Sequence, residues 1–529
     1  MSRPAHAHLE RGKACLRCRG RKMRCDGAKP SCGQCTHAGV NDCEYDDAGP
    51  TASQILERRV AQLQARIREL EEGQPSGTIT LHRPHSPPQL QPRLPSPSSP
   101  DFLRSFSSCG FDFGFFLHMQ RFKENMKASI PPSDDSPIPS ALVYVVLLID
   151  ALFSNDPAYH ATEDRLLALV QQNFSSDFHP TRMMYTLQTE VLLSYYLFHK
   201  DRRVEGGYHA AAAVSIVVAC GLHKLGSTRA QGRTGINLPL PRDAVEDGER
   251  INAFWTVIVL DRCWTVWMQT PSVLIDETSA NTQIDTPWPL DMIGYEQGMM
   301  PAGGQPVQTV QAFLNNPATD TQHQSLLALR AKASILYEKS AQIAAHWNPN
   351  APGFQDHFVA LDNRINQFKG VLPSLRQAAQ TRPDLVRGLL TVHILINCAT
   401  MQLHAPWIQP GNPINRKSLT AARTAVTSLQ KVNISQLGYI DPFMGILLGA
   451  VGRSLATALR AVQRNAGAGP SNGSPADAAA VQESYSTVLT AMQIFSAACP
   501  LIGALLICIV YSLAIDIGHH ADTELAKFR

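Results

Sequence analysis

Six cysteines lie within residues 15–43, in two half-repeats: Cys15, Cys18 and Cys25, then Cys32, Cys35 and Cys43. The spacing is Cys-x2-Cys-x6-Cys, a gap of six residues, and Cys-x2-Cys-x7-Cys. Zinc takes four ligands and accepts thiolates readily. One four-coordinate ion would leave two of these thiols over, and two separate sites would need eight. Two ions sharing two bridging sulfurs use all six. The arithmetic and the internal repeat therefore favour a binuclear metal cluster. The competing reading is a disulfide framework, which suits a small secreted domain. Residues 1–14 are polar and lack the apolar run of a secretory signal peptide. The other six cysteines (Cys109, Cys220, Cys263, Cys398, Cys499 and Cys508) are scattered without ligand spacing and are expected to be core residues.

Charge is segregated around the cysteines. Residues 11–35 hold Arg11, Lys13, Arg17, Arg19, Arg21, Lys22, Arg24 and Lys29 against Asp26 alone, a net +7, in a chain whose total is +3. The remainder therefore nets −4. A basic patch confined to one small module is the electrostatic footprint of a nucleic-acid binder.

The run Cys15-Leu-Arg-Cys18-Arg-Gly-Arg-Lys-Met-Arg-Cys25, followed by Lys29-Pro30-Ser31-Cys32-Gly-Gln-Cys35, resembles the binuclear zinc cluster domain of fungal transcription factors. The resemblance implies two Zn²⁺ held by the six cysteines, with Cys15 and Cys32 bridging. It places Arg21 and Lys22 at the bases of a CGG-type triplet, and Arg19 and Arg24 at flanking phosphates. Guanine O6 and N7 both accept hydrogen bonds, which suits Lys and Arg. Gly20 departs from the pattern; a glycine within the first helix costs about 1 kcal/mol against alanine, so metal ligation is expected to hold that helix. About 30 residues have too little core to fold alone, and zinc supplies ~10–16 kcal/mol in zinc-finger peptides.

After Gly49-Pro50, Thr51 and Gln54 stand at capping-box spacing. Leu56, Val60, Leu63, Ile67 and Leu70 then recur at 4, 3, 4, 3. β-branched residues at a and leucines at d favour a parallel two-stranded coiled coil, so residues 51–73 are expected to make a homodimer. The alternative is an amphipathic helix packed on its own domain. Residues 74–100 hold eight prolines with many Ser and Gln and read as a disordered linker.

From 101 to 529 apolar residues recur at helical spacing. Helices are expected at 138–153, 162–173, 181–199, 205–222, 248–269, 323–346, 356–371, 383–403, 416–431, 440–464, 475–497 and 500–517, with irregular stretches at 226–247, 276–320 and 405–415. Gly207 to Lys224 with its Gly-Leu-His end, Glu249 to Arg262 with Phe254-Trp255, and Asp285-Thr-Pro287-Trp-Pro289 are similar to the middle homology region of the same fungal family. The resemblance implies a regulatory body. Phe102, Phe106, Phe111, Phe113, Phe115 and Phe116 are expected to dock on it rather than form an activation segment. Trp255, Trp264 and Trp267 are expected to be core. Residues 497–515 are uncharged and include the apolar run Leu501 through Val510, yet a membrane span is not expected of them.

The expected organisation is mainly α: a zinc-cluster DNA-binding domain (1–48), a coiled-coil element (51–73), a disordered linker (74–100) and a large all-α regulatory domain (101–529). No nucleophile–base pair, phosphate loop or catalytic metal motif occurs in the body, so an enzyme is not expected. The expected function is a nuclear, zinc-dependent, sequence-specific regulator of RNA polymerase II transcription, a dimer on CGG-type triplets, working with double-stranded DNA and transcription co-regulators. The alternative is a zinc-folded protein-interaction regulator without specific DNA binding.

Overall fold

Helices account for the regular structure of this chain, and no strand occurs among the described residues. The structure, a computed structural model, describes residues 13–40, 43–45, 61, 64–65, 102–133, 135–174, 179–226, 238–274, 276, 282–299, 308–316, 325–407, 415–466 and 475–517. The coiled-coil seam residues Leu56, Val60, Leu63, Ile67 and Leu70, and the linker 74–100, lie outside them. The chain divides into two compact units, Met1–Leu90 and Gln91–Arg529.

The first unit holds two short helices, α1 (Leu16–Gly20) and α2 (Gly33–His37), one in each cysteine half-repeat. Gly20 closes α1 rather than sitting inside it, and its Cβ position faces open space. Its cost is therefore smaller than for an interior glycine, because a terminal residue has less helix to hold.

The second unit begins with the phenylalanine segment. Phe102, Phe106, Phe113, Phe115 and Phe116 are buried, while Phe111 is exposed. They anchor α3 (Arg104–Cys109) and the entry to α4 (Met119–Ala128) in the core, with Phe106 edge-on to Phe115 at 5.1 Å. Docking wins because the five buried rings remove far more apolar surface from water than two acids can solvate. Next come α5 (Ser140–Leu152), α6 (Glu163–Asn173), α7 (Met183–His199) and α8 (Arg203–Ala219). α7 and α8 form a tight hairpin. A Cβ on Gly206 would come within 2.7 Å of the Phe198 ring, and Ser194 Oγ donates to the Gly206 carbonyl at 2.8 Å.

The centre is α9 (Ala244–Met268), buried nearly all round. Trp255 and Trp264 are fully buried, and Trp264 stacks on Phe198 with ring centroids 3.5 Å apart. Arg262 donates to Glu338 at 2.8 Å and lies 3.4 Å from Asp261. This buried network ties α9 to α12 (Leu326–Ala345). Within the stretch expected to be irregular the structure forms α10 (Met292–Glu296) and α11 (Thr309–Asn315). Each is too short for apolar periodicity to show. The rest of the body is α13 (Phe354–Val371), α14 (Leu375–Thr381), α15 (Val386–His404), α16 (Arg416–Gln430), α17 (Phe443–Ala466), α18 (Pro475–Ser496) and α19 (Pro500–Ile517). α12 packs on α9 and α15, and α15 in turn on α16 and α17.

Three sequence motifs meet beside α9. Gly221 takes a left-handed φ of 65° and turns the chain after α8. The His223 carbonyl then accepts from the Asp285 amide at 2.8 Å, and the Pro287 carbonyl accepts from Trp255 Nε1 at 2.7 Å. Gly-Leu-His, Phe-Trp and Asp-Thr-Pro thus form one structural knot. Pro383–His404 and Phe443–Val462 are long and apolar enough to cross a membrane, but 78% and 67% of their apolar windows are buried inside the protein. A helix apolar all round and covered on its faces is a core helix.

Candidate metal centre and nucleic-acid interface

Each half-repeat places its first cysteine at a helix N-cap and its second three residues on. Cys15 caps α1, where its Sγ accepts from the Cys18 amide at 3.4 Å, and Cys32 caps α2. Side chains three apart share a helix face, so each pair of thiols points one way. The two pairs face each other. Cys15 Sγ lies 3.7 Å from Cys32 Sγ and 3.8 Å from Cys35 Sγ, and Cys18 Sγ lies 3.7 Å from Cys32 Sγ. The Sγ atoms of Cys15, Cys18, Cys32 and Cys35 all fall within 4.8 Å of one another, as do the ligand atoms of Cys25, Asp26 and Cys32. Cys43 Sγ accepts from the Cys32 amide at 3.3 Å.

These separations test the chemistry. Thiolates about 2.3 Å from a tetrahedral zinc stand roughly 3.8 Å from each other, whereas a disulfide brings sulfurs to about 2.05 Å. The observed 3.7–3.8 Å matches the former, and all six cysteines are free thiols. Cys15 and Cys32 stand between the two half-repeats, each beside a cysteine of the other one. Burial, with the neighbouring Cys15, pushes the Cys18 thiol up to about 12, and burial pushes Cys32 higher still. These two buried thiols are poor free anions, and a divalent cation is what would hold them as thiolates. The donor set fits two zinc ions.

The remaining contacts brace the loops. Asp26, the one acid in the basic run, accepts from the Gly33 amide at 2.9 and 3.0 Å and so ties the end of the first half-repeat to the start of the second. A Cβ at Gly33 would lie 2.5 Å from Asp26 Oδ2. In composition Asp26 counts only as a charge. A lone acid amid cations, seven residues before a glycine, was the available signal. Leu16 donates to the Glu44 carbonyl at 2.9 Å, Tyr45 hydroxyl to the Ala28 carbonyl at 2.8 Å, and Lys29 Nζ lies 5.5 Å over the Tyr45 ring. The Lys29–Pro30 peptide is cis.

Arg19, Arg21, Lys22 and Arg24 are all exposed, at the end of α1 and just after it. The Lys22 amide donates to the Arg19 carbonyl and the Met23 amide to the Cys18 carbonyl, at 3.2 and 3.0 Å. Lys22 itself takes a left-handed φ of 52°. The helix is thus stopped by a lysine where glycine is the usual residue.

Residues 13–51 match the family model described as the fungal Zn(2)-Cys(6) binuclear cluster domain, and residues 102–296 match the fungal specific transcription factor domain. Over 443 residues the chain is 24% identical to the citrinin biosynthesis transcriptional activators of Monascus ruber and Monascus purpureus; the match covers 70% of this chain and 82% and 72% of theirs. A shorter likeness, 45% over 64 residues, links it to the transcriptional activator protein acu-15 of Neurospora crassa, covering 11% of this chain and 7% of that protein. No solved structure matches the chain.

Proposed function

From the premise that this chain belongs to the fungal Zn(2)-Cys(6) transcription factors, we propose that it regulates RNA polymerase II genes in the nucleus, as a homodimer on paired CGG-type triplets. Its matched domains are those of DNA-binding transcription factors, not of enzymes. Cys15, Cys18, Cys25, Cys32, Cys35 and Cys43 would together hold two Zn²⁺, with Cys15 and Cys32 shared as the family resemblance implies. When bound, the metal supplies the cross-links that a 30-residue segment without an apolar core lacks. Arg21 and Lys22 donate to guanine O6 and N7 in the major groove, and Arg19 and Arg24 to phosphates. Leu56, Val60, Leu63, Ile67 and Leu70 form the dimer seam, and the two-fold symmetry sets two half-sites. The relatives' names support activation as the sign of regulation.

The observation that carries this reading is the exposed basic run Arg19–Arg24 on a scaffold of metal-spaced thiols. Selection of duplexes from a random pool by the full chain, with zinc and with chelator, tests it. Enrichment of CGG triplets at one fixed spacing, lost on chelation, is expected. Zinc-loaded protein that enriches no sequence at moderate salt would move the module to protein interaction.

A further inference from the structure

The regulatory body contains a cavity of about 720 Å³. Its wall runs from the 107–120 segment across α7 and α9 to the starts of α10, α12 and α15. Pockets for drug-sized molecules span ~300–1,000 Å³ and are mostly apolar with a few placed polar groups. Here Phe115, Val259, Leu290, Met292 and Leu327 supply the apolar surface, and Tyr195, Asn252 and Thr256 the polar one.

The charges around the cavity are already committed. Arg387 donates to Asp112 at 3.1 Å, to the Leu437 carbonyl at 3.1 Å and to the Ser108 carbonyl at 2.9 Å, with its guanidinium 4.0 Å from the Tyr439 ring centre. Arg330 is ion-paired with Asp441. His118 Nε2 meets Glu296 at 2.6 Å, and Asp384 meets Arg382 at 3.1 Å. Asp291 lines the cavity and has no ion-pair partner among the described residues. An anion entering here would find no uncommitted cation and one unpaired carboxylate. One polar group is left over. Asn252 is 8% exposed, lines the cavity, and its Oδ1 is buried without a hydrogen-bond partner. A buried acceptor left unpaired is destabilising, and a ligand donor would satisfy it.

We infer that this cavity binds an uncharged, amphipathic small molecule of ring-system size, which donates a hydrogen bond to Asn252. The inference does not rest on the DNA-binding reading, since dye binding and duplex binding are read separately and either can fail alone.

The test titrates the full-length zinc-loaded protein with two fluorophores that differ by one group: N-phenyl-1-naphthylamine, neutral with an N–H donor, and its anionic 8-sulfonate. Saturable one-to-one binding of the neutral dye is expected, with the sulfonate at least tenfold weaker. Ser108→Trp, at the exposed mouth, is expected to weaken the neutral dye tenfold or more. Asn252→Leu is expected to weaken it at least threefold while leaving the thermal midpoint unchanged or higher, which a purely structural asparagine would not do. No saturable binding, equal affinity for both dyes, or affinity untouched by Ser108→Trp would overturn the assignment. Should Asn252→Leu fail to fold, Ser108→Trp carries the test.

Discussion

His199 ends α7 between Phe113 and Phe153, with ring centroids 5.8 and 5.7 Å away, and its Nδ1 has no hydrogen-bond partner. Burial, with Lys200 adding to it, pulls its pKa down from 6.5 to about 3. The folded protein therefore keeps this ring neutral where the unfolded chain takes up a proton. Stability from this site is complete above the unfolded value and is lost as pH falls from there towards the folded one, at about 1.4 kcal/mol per pH unit. Between pH 7 and pH 5 the loss is about 2 kcal/mol. His199→Phe keeps the aromatic contacts and removes the titration. Urea unfolding at both pH values should show the variant's stability falling by about 2 kcal/mol less than the parent's; equal falls would show that His199 is not the titrating group. The proposed DNA contacts yield a second prediction. A base contact and a phosphate contact differ in kind. Lys22→Ala is expected to cost about 1–3 kcal/mol on the preferred triplet and to relax its sequence preference. Arg24→Ala is expected to weaken all duplexes alike and to reduce the salt slope by about 1. Binding isotherms on cognate and scrambled duplexes over a salt series separate these outcomes, and uniform weakening by both variants would place Lys22 on phosphate. At this scale the sequence was legible where chemistry demands a residue type. The cysteine spacing announced the thiol cluster, but the left-handed backbone of Lys22 was hidden, because lysine carries no turn signal.

Two glycines show what separates one helix from another. Gly248 lies in the first half of α9 and Gly370 near the end of α13. By propensity alone alanine is better at either position by about 1 kcal/mol. Packing reverses this at Gly248, where a Cβ would sit 2.4 Å from the Tyr295 ring, itself 1% exposed and held by its hydroxyl, which accepts from the Leu290 amide at 3.0 Å. Nothing lies within 4 Å of the Cβ position at Gly370, which faces solvent. Gly248→Ala is therefore expected to destabilise the body by about 1–3 kcal/mol through overpacking, and Gly370→Ala to stabilise it by about 0.5–1 kcal/mol. Denaturant midpoints measure both, and the same sign for the two would refute the packing argument. The same contrast explains what was legible among the elements. Long helices such as α12 and α15 announce themselves because apolar residues repeat over many turns. Helices such as α10 and α11 have five and seven residues, and tertiary contacts specify them. Tyr295 of α10 fills the space that Gly248 leaves open, a pairing 47 positions apart that periodicity cannot register.

At the scale of the whole molecule, two cores of different chemistry lie along one chain. The N-terminal one consists of Cys15, Cys18, Cys32 and Cys35, with Cys25, Cys43 and Tyr45 partly buried against them. The body's is a continuous apolar core that runs from Phe102 to Val510. The first was readable from spacing because its members are neighbours in sequence. The cavity in the second was not, because its lining runs from Ser107 to Gly388 and only folding assembles it. The difference in chemistry predicts a selective response to metal removal. Below about 40 residues a domain needs metal, disulfides or association to fold, and zinc supplies ~10–16 kcal/mol in comparable peptides. A strong chelator should therefore unfold the N-terminal module and abolish duplex binding. The body should stay folded, since apolar burial holds it and the metal-ligand groups found among the described residues all lie in the N-terminal module. α1 and α2 contribute five helical residues each, against 24 in α17 alone, so far-UV ellipticity should change little. The body's cooperative melting transition should persist at nearly the same temperature. Gel shift, circular dichroism and zinc content followed on one sample during chelation would show DNA binding falling in step with the metal while ellipticity holds. Duplex binding that survives in metal-free protein would refute the zinc-built reading head, and a body that melts as zinc leaves would show that the two cores are not independent in stability.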